Sequence, residues 1–71
     1  MFDKKIFAQR LQQLRKAHGE TQDQLAQVLL VGKTQISEME NANATTTLEK
    51  LVLICEHYQV SADYLLGLSE Q

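Results

Sequence analysis

The sequence has no proline and no tryptophan, it has one cysteine, and its apolar residues form no long run. No stretch approaches the roughly 18 apolar residues of a membrane-spanning helix, and the charged N-terminal segment lacks the apolar centre of a secretion signal. We therefore expect no membrane partner and a cytoplasmic location. A lone Cys55 excludes an internal disulfide, and only His18 and His57 could assist it as soft ligands, so we expect neither a metal site nor a cofactor.

The chain length leaves room for one small domain. With 71 residues, of which 44% are hydrophobic and 23% charged, the composition is that of a soluble globular domain with one modest core, spanning residues 1–71. Domains of this size are commonly supported by oligomerisation, so a homodimer fits the composition.

Capping residues and apolar spacing predict the first two helices. Asp3 can cap a helix that runs to about His18, and Gly19 follows where a left-handed residue is favoured. Thr21 and Gln24 have the spacing of a capping box, which predicts that a second helix begins there.

The same signals predict two helices in the second half of the chain. Thr46 and Glu49 form a second candidate capping box, and a stripe of apolar residues continues to a turn near residues 59–60. Ser61 then caps a short helix over residues 62–66. Because no segment alternates as a strand does, the sequence predicts an all-α fold.

The third helix, which is predicted to begin at Lys33 after Gly32, has two different sides. Steps of 100° per residue place Ile36, Met39 and Glu40 on the buried side. The opposite side and its edges carry hydrogen-bonding groups: Lys33, Thr34, Gln35, Ser37, Glu38 and Asn41. Such groups suit the base edges of a DNA major groove, for example lysine with guanine and glutamine with adenine. The alternative is a solvated helix face that has no partner.

Charge is divided unevenly along the chain. Residues 1–33 contain six basic and three acidic residues, whereas residues 34–71 contain one basic and six acidic residues, and the whole chain has a formal charge of −2. If the partner is DNA, this balance predicts modest affinity with strong salt sensitivity.

Four segments together resemble the helix-turn-helix family of phage repressors and Cro proteins, over residues 6–67. They are Arg10-Leu-Gln-Gln-Leu-Arg-Lys-Ala-His-Gly, Thr21-Gln-Asp-Gln-Leu-Ala, Ile36-Ser-Glu-Met-Glu-Asn and Val60-Ser-Ala-Asp-Tyr-Leu-Leu-Gly. The resemblance implies a five-helix, lambda-repressor-like domain whose second and third helices form the helix-turn-helix, with the third helix in the major groove.

The exposed side of the third helix and the resemblance together predict the site residues, of which Gln22 and the pair named last come from the resemblance. Base contacts are expected from Gln22, Lys33, Thr34, Gln35, Ser37 and Glu38. Phosphate contacts are expected from Arg10, Thr21, Asn41, Asn43 and Thr45. A structural ion pair is expected between Arg15 and Glu40.

Three departures from the family pattern stand out. Leu30 replaces a usual turn glycine, at a cost on the order of 1 kcal/mol if it keeps a positive φ, so a reshaped turn is expected. Gln59 also replaces a glycine, and a longer or looser end of the fourth helix is expected there. Finally, the loop at residues 41–46 carries no lysine or arginine where relatives place phosphate contacts.

These observations predict a sequence-specific regulator of transcription that binds double-stranded DNA, in particular a homodimeric repressor with a palindromic operator. Two alternatives stay open: an antitoxin that binds a toxin and autoregulates its operon, and a protein-interaction module without DNA affinity. The candidate dimer contacts are Val60, Tyr64, Leu65, Leu66 and Leu68, unless these residues only seal the core. The Gly32-Lys33-Thr34 segment lacks the remaining features of a phosphate-binding loop, so no nucleotide site is expected. An enzyme is not expected, because no serine, histidine and acid arrangement is suggested by position and five short helices offer little concave volume for catalysis.

Overall fold

The computed structural model describes residues 1–70, which form five α-helices and no strand. The helices are α1 (Lys4–Ala17), α2 (Gln22–Leu29), α3 (Lys33–Glu40), α4 (Leu48–Tyr58) and α5 (Ala62–Leu66). Helix α1 packs against α3 and α5, and α4 packs against α2 and α5, while α2 and α3 pack on each other. The predicted all-α fold is confirmed.

Most helices begin where the sequence indicates. Asp3 accepts a hydrogen bond from the backbone N–H of Lys5, and Ser61 accepts one from the N–H of Tyr64. The capping box predicted at Thr46 was wrong. The three consecutive threonines offer neighbouring caps, and it is Thr47 whose hydroxyl accepts from the N–H of Lys50, 3.2 Å away, at the start of α4.

Every helix contributes to a single core. Its fully buried side chains include Phe7 and Leu11 of α1, Leu25 and Leu29 of α2, Ile36 and Met39 of α3, Ile54 of α4, and Leu65 of α5. This core holds the short α2 and α3 in place, since two helices of about two turns bury too little surface to be stable alone.

All five helices end with the same turn. In each, the residue after a left-handed position donates its N–H to the carbonyl oxygen five residues earlier, as Val31 does to Ala26 at 3.0 Å. The left-handed positions are Gly19, Leu30, Ala42, Gln59 and Gly67.

The turns at Leu30 and Gln59 are not reshaped, contrary to expectation. Both residues have φ of 57°, so both retain the left-handed conformation that a glycine would adopt there. The predicted looser end of α4 was therefore wrong. Gln59 also donates from its side chain to the carbonyl oxygen of Glu56, 2.7 Å away, which adds a local hydrogen bond at this turn.

Gly67 allows close packing between two helices, in addition to its left-handed conformation, whereas Gly19 does not. A Cβ atom added to Gly67 would lie 2.9 Å from Ile6 Cγ2, whereas one added to Gly19 meets no atom within 4 Å. The close approach of Gly67 to Ile6 lets the end of α5 pack directly on α1.

Candidate nucleic-acid interface

Helices α2 and α3 are fixed relative to each other by a short turn with defined caps. Thr21 Oγ1 accepts from the N–H of Gln24 at 3.1 Å, and Gln24 Oε1 accepts from the N–H of Thr21 at 2.8 Å, which completes the predicted capping box. The chain then passes through left-handed Leu30 to Gly32, the N-cap of α3, which has no side chain to cap the helix. The beginning of α3 is consequently open to an external partner.

The two sides of α3 separate as the sequence predicts. Ile36, Met39 and Glu40 are buried, and Ser37 is half-buried. The polar side chains of Lys33, Thr34, Gln35 and Glu38 are exposed along the other side of the helix. We call this set, together with Ser37, the α3 polar face. Its groups can both donate and accept hydrogen bonds, as a base-reading surface requires.

A buried ion pair anchors the α3 polar face from behind. Arg15 Nε lies 2.6 Å from Glu40 Oε2, and Arg15 Nη2 lies 3.0 Å from Glu40 Oε1. The hydrogen bond to Glu40 raises the pKa of Arg15 above its ordinary value, although burial opposes the shift. This two-point contact joins α1 to the end of α3 and fixes the rotation of α3 about its axis.

The ion pair also holds Gln22. The side-chain amide of Gln22 donates from Nε2 to Glu40 Oε1 at 3.2 Å. One donor of the first residue of α2 is therefore engaged inside the protein, while the amide has further donor and acceptor capacity. Gln22 and the α3 polar face thus share one positional support.

A second polar cluster, which no pattern in the sequence indicated, is centred on Glu20. Its carboxylate accepts from Tyr58 Oη at 2.6 Å and lies 2.5 Å from His57 Nε2, while its backbone carbonyl accepts from Arg15 Nη1 at 2.7 Å. Burial favours the neutral form of Glu20, but the hydrogen bonds from Tyr58 and His57 outweigh burial and lower its pKa. The pKa of Tyr58 is raised by burial and by its bond to Glu20.

The cluster ties α4 to the loop between α1 and α2. His57, in the last turn of α4, contacts Glu20. His18, at the end of α1, has a local contact, since its Nδ1 lies 2.9 Å from the carbonyl oxygen of Leu14. The contacts of Glu20 are long-range, 37 and 38 residues apart in the sequence, so no local pattern indicates them.

Arg10 does not lie with the α3 polar face, and its predicted role needs correction. Its guanidinium donates to the carbonyl oxygens of Tyr64 and of Ser69, the latter at 2.7 Å, and stacks 4.4 Å from the centre of the Tyr64 ring. A side chain held in this way, and only 17% exposed, joins α1 to the C-terminal segment and is not available to a phosphate.

The remaining predicted phosphate contacts are all at the surface. Thr21 precedes α2, and Asn41, Asn43 and Thr45 lie in the loop between α3 and α4. Asn41 Nδ2 lies 3.4 Å from Ser37 Oγ, which leaves its amide at the C-terminal edge of the α3 polar face.

One predicted dimer contact is wrong. Leu65 has no exposed surface, because it belongs to the core, so it cannot contribute to contact between two folded copies. Val60, Tyr64 and Leu66 are half-buried, and Leu68 is 66% exposed.

Two other kinds of feature are absent from the part of the chain that the structure describes. Among residues 1–70, no group of three or more His, Cys, Asp and Glu side chains could hold a metal ion. None of the helices in this range combines the length and the apolar character of a membrane span.

Comparison with known proteins gives the family. A helix-turn-helix family model matches residues 11–65. Over 65 residues the chain is 42% identical to the uncharacterized HTH-type transcriptional regulator YobD of Bacillus subtilis, covering 92% of this chain and 58% of the relative. It is 39% identical to the HTH-type transcriptional activator BcrR of Enterococcus faecalis, covering 86% of this chain and 30% of the relative. The chain belongs to the helix-turn-helix family.

Solved structures agree with this assignment. The chain superposes on a transcriptional regulator from Listeria innocua with a TM-score of 0.85 and 28% identity, covering 92% of this chain and 61% of that one. The chain thus spans less than two thirds of the length of this structure and of both relatives.

Proposed function

We propose that this chain binds double-stranded DNA as the reading domain of a transcriptional regulator, with α3 in the major groove. The observation that carries the proposal is the α3 polar face, which is exposed on one side and anchored on the other by Glu40. A helix that reads bases must be held in a fixed orientation, because hydrogen bonds to base edges tolerate little displacement. The Arg15–Glu40 pair and the core below α3 meet this requirement.

Within the proposal, individual side chains have different partners. Lys33 suits the acceptor atoms of guanine, Gln35 suits adenine, and Glu38 accepts from the amino group of cytosine. Glu38 also repels phosphate, so it penalises most sequences and favours those that offer it a donor. Gln22, held by Glu40, contributes from the start of α2.

We also propose that the regulator binds as a homodimer. Two copies would place their α3 helices about 34 Å apart on a palindromic site, one helical turn of DNA. Leu68, with Val60, Tyr64 and Leu66 beside it, supports an interface near the C-terminal end of α5. Sedimentation equilibrium at micromolar concentration tests this part, and a strict monomer, both free and on DNA, would contradict it. We also propose that binding represses transcription. A reporter gene behind the bound promoter would then be expressed less in the presence of this protein than in its absence.

The acidic second half of the chain favours one other candidate function, binding of a basic protein partner. Residues 34–71 have a net charge of −5 from six acidic residues and one basic residue. A partner of this kind, such as the toxin of an antitoxin pair, would contact α4 and α5 and leave the α3 polar face free.

The experiment that tests DNA reading is selection of bound sequences from a random duplex pool at low salt. We expect one enriched motif with the wild-type chain, and loss of preference at separate positions with Gln35→Ala and Glu38→Ala. Gln13→Ala is the matched control, since Gln13 is an exposed glutamine of α1 that is not part of the α3 polar face. Failure of the wild type to enrich any sequence would contradict the proposal and favour the protein partner.

A further inference from the structure

Two exposed lysines of the basic half lie side by side at the beginning of α1. Arg10 and Arg15 are both engaged, by the C-terminal segment and by Glu40 respectively. Lys4 and Lys5 are exposed, and neither forms an ion pair with any residue in the range 1–70. Two cations are therefore available at this end of the molecule.

Lysine is unfavourable at this position for the helix itself. The first turn of an α-helix has a partial positive charge, so acidic side chains stabilise it and basic ones oppose it. The first turn of α1 contains Lys4 and Lys5 and no acidic residue. Asp3, the nearby anion, is already engaged as the N-cap by the N–H of Lys5. Local departures from such preferences are expected where a sequence serves function.

The fold brings these lysines beside the loop that follows α3. Lys4 and Lys5 line an open cavity of about 680 Å³ that Ala42 and Thr45 also line. Ala42 has φ of 61°, and the N–H after it returns to the carbonyl oxygen of Glu38 at 2.9 Å, so the chain turns sharply from the end of α3 toward α1.

We propose that Lys4 and Lys5, together with Thr45, bind the phosphates of the DNA strand that borders the groove occupied by α3. This inference rests on the proposed function and adds a contact surface to it, which we call the α1 phosphate edge: Lys4, Lys5 and Thr45. The loop at residues 41–47 contains no lysine or arginine. The cations that neutralise phosphate beside it come instead from the start of α1, which the fold places against that loop.

Charge and exposure favour phosphate as the partner of this edge. Phosphate contacts are made mainly by lysine, arginine and hydroxyl groups at the surface, and they position a protein on DNA without reading sequence. The α1 phosphate edge has the required groups, adjacent to the C-terminal end of the reading helix. It also supplies charge that Arg10, held by Tyr64 and Ser69, does not.

The test compares the wild type with the Lys4→Gln/Lys5→Gln variant. For each protein, fluorescence anisotropy at several NaCl concentrations measures the affinity for a mixed-sequence duplex of about 20 base pairs. Each phosphate contact contributes about 0.9 to the slope of log affinity against log salt. Between 50 and 200 mM salt, the affinity of the Lys4→Gln/Lys5→Gln variant should therefore fall about 12-fold less than that of the wild type. Lys4→Arg/Lys5→Arg should restore the wild-type slope.

Lys5→Gln alone should reduce the slope by about 0.9, and its matched control is Lys16→Gln. It removes one charge from the same helix, but at the opposite end, where Lys16 is exposed. We expect the control to leave the slope unchanged, and the melting temperature of the double glutamine variant to be no lower than that of the wild type. A wild-type slope in the double variant, or a change with Lys16→Gln as large as that with Lys5→Gln, would overturn the proposed edge alone. Absence of DNA binding by the wild type would overturn the proposed function as well.

Discussion

Leu30→Gly should stabilise this protein, although it removes a large apolar side chain. Leu30 has φ of 57° and is 81% exposed, so it bears the strain of a left-handed residue with little burial in return. That conformation costs a non-glycine residue roughly 1–2 kcal/mol. Glycine loses more conformational entropy on folding than leucine does, and this loss offsets about 0.5–1 kcal/mol of the relief. We expect a net gain of about 0.5–1 kcal/mol, which corresponds to a rise of roughly 2–8 °C in the melting temperature of a domain this small.

Urea unfolding followed by circular dichroism measures the free energy of unfolding for this variant and two others. Gln59→Gly relieves the same strain, but it also removes the side-chain hydrogen bond to Glu56, so its gain should be smaller. Gln27→Gly places glycine at an exposed position inside α2 and should cost about 1 kcal/mol. A Leu30→Gly variant that is less stable than the wild type would refute the strain argument and show that the Leu30 side chain contributes contacts that outweigh it.

Three further predictions concern packing, the buried pair and acid stability. Gly67→Ala should destabilise the fold more than Gly19→Ala in thermal melts, since both lose a left-handed glycine but only the first creates a contact of 2.9 Å. Glu40→Ala should cost about 3–5 kcal/mol in urea unfolding because it leaves Arg15 buried without its partner, and the variant with Arg15→Met and Glu40→Leu should recover most of that loss. The folded pKa of Glu20 is lowered from 4.5, so its contribution to stability is present above pH 4.5 and is lost as the pH falls through the folded value. Stability measured against pH should consequently show a weaker acid dependence in Glu20→Gln, and an unchanged dependence would contradict this assignment.

Most local features of this fold could be predicted from the sequence. The beginnings of α1, α2 and α5 follow from side-chain caps whose hydrogen bonds span two or three residues, and spacing in the sequence predicts such short-range contacts. Helix α3 begins after Gly32, which has no side-chain cap. The division of α3 into a buried and a polar side follows from helical periodicity in the same way. The error at α4 arose because Thr45, Thr46 and Thr47 are chemically equivalent caps, and packing of the helix selects among them.

Features that depend on distant parts of the chain could not be predicted from spacing, and the Arg15–Glu40 pair was expected only from the family resemblance. Arg10 resembles a phosphate contact in the sequence, and only the folded chain shows that the end of α5 occupies its guanidinium. The contacts of Glu20 with α4 join residues far apart in the sequence, and so does the cavity that Lys5 and Thr45 line. A periodic pattern in the sequence does not indicate which distant residues come into contact in the folded chain.

Our central claim is that α3 enters the major groove, and amide chemical shifts measured during titration with the selected duplex test it most directly. We predict the largest changes at residues 33–38 and at Gln22, smaller changes at Lys4 and Lys5, and none at the exposed surface of α4. Changes confined to α4 and α5, with α3 unaffected, would contradict the account.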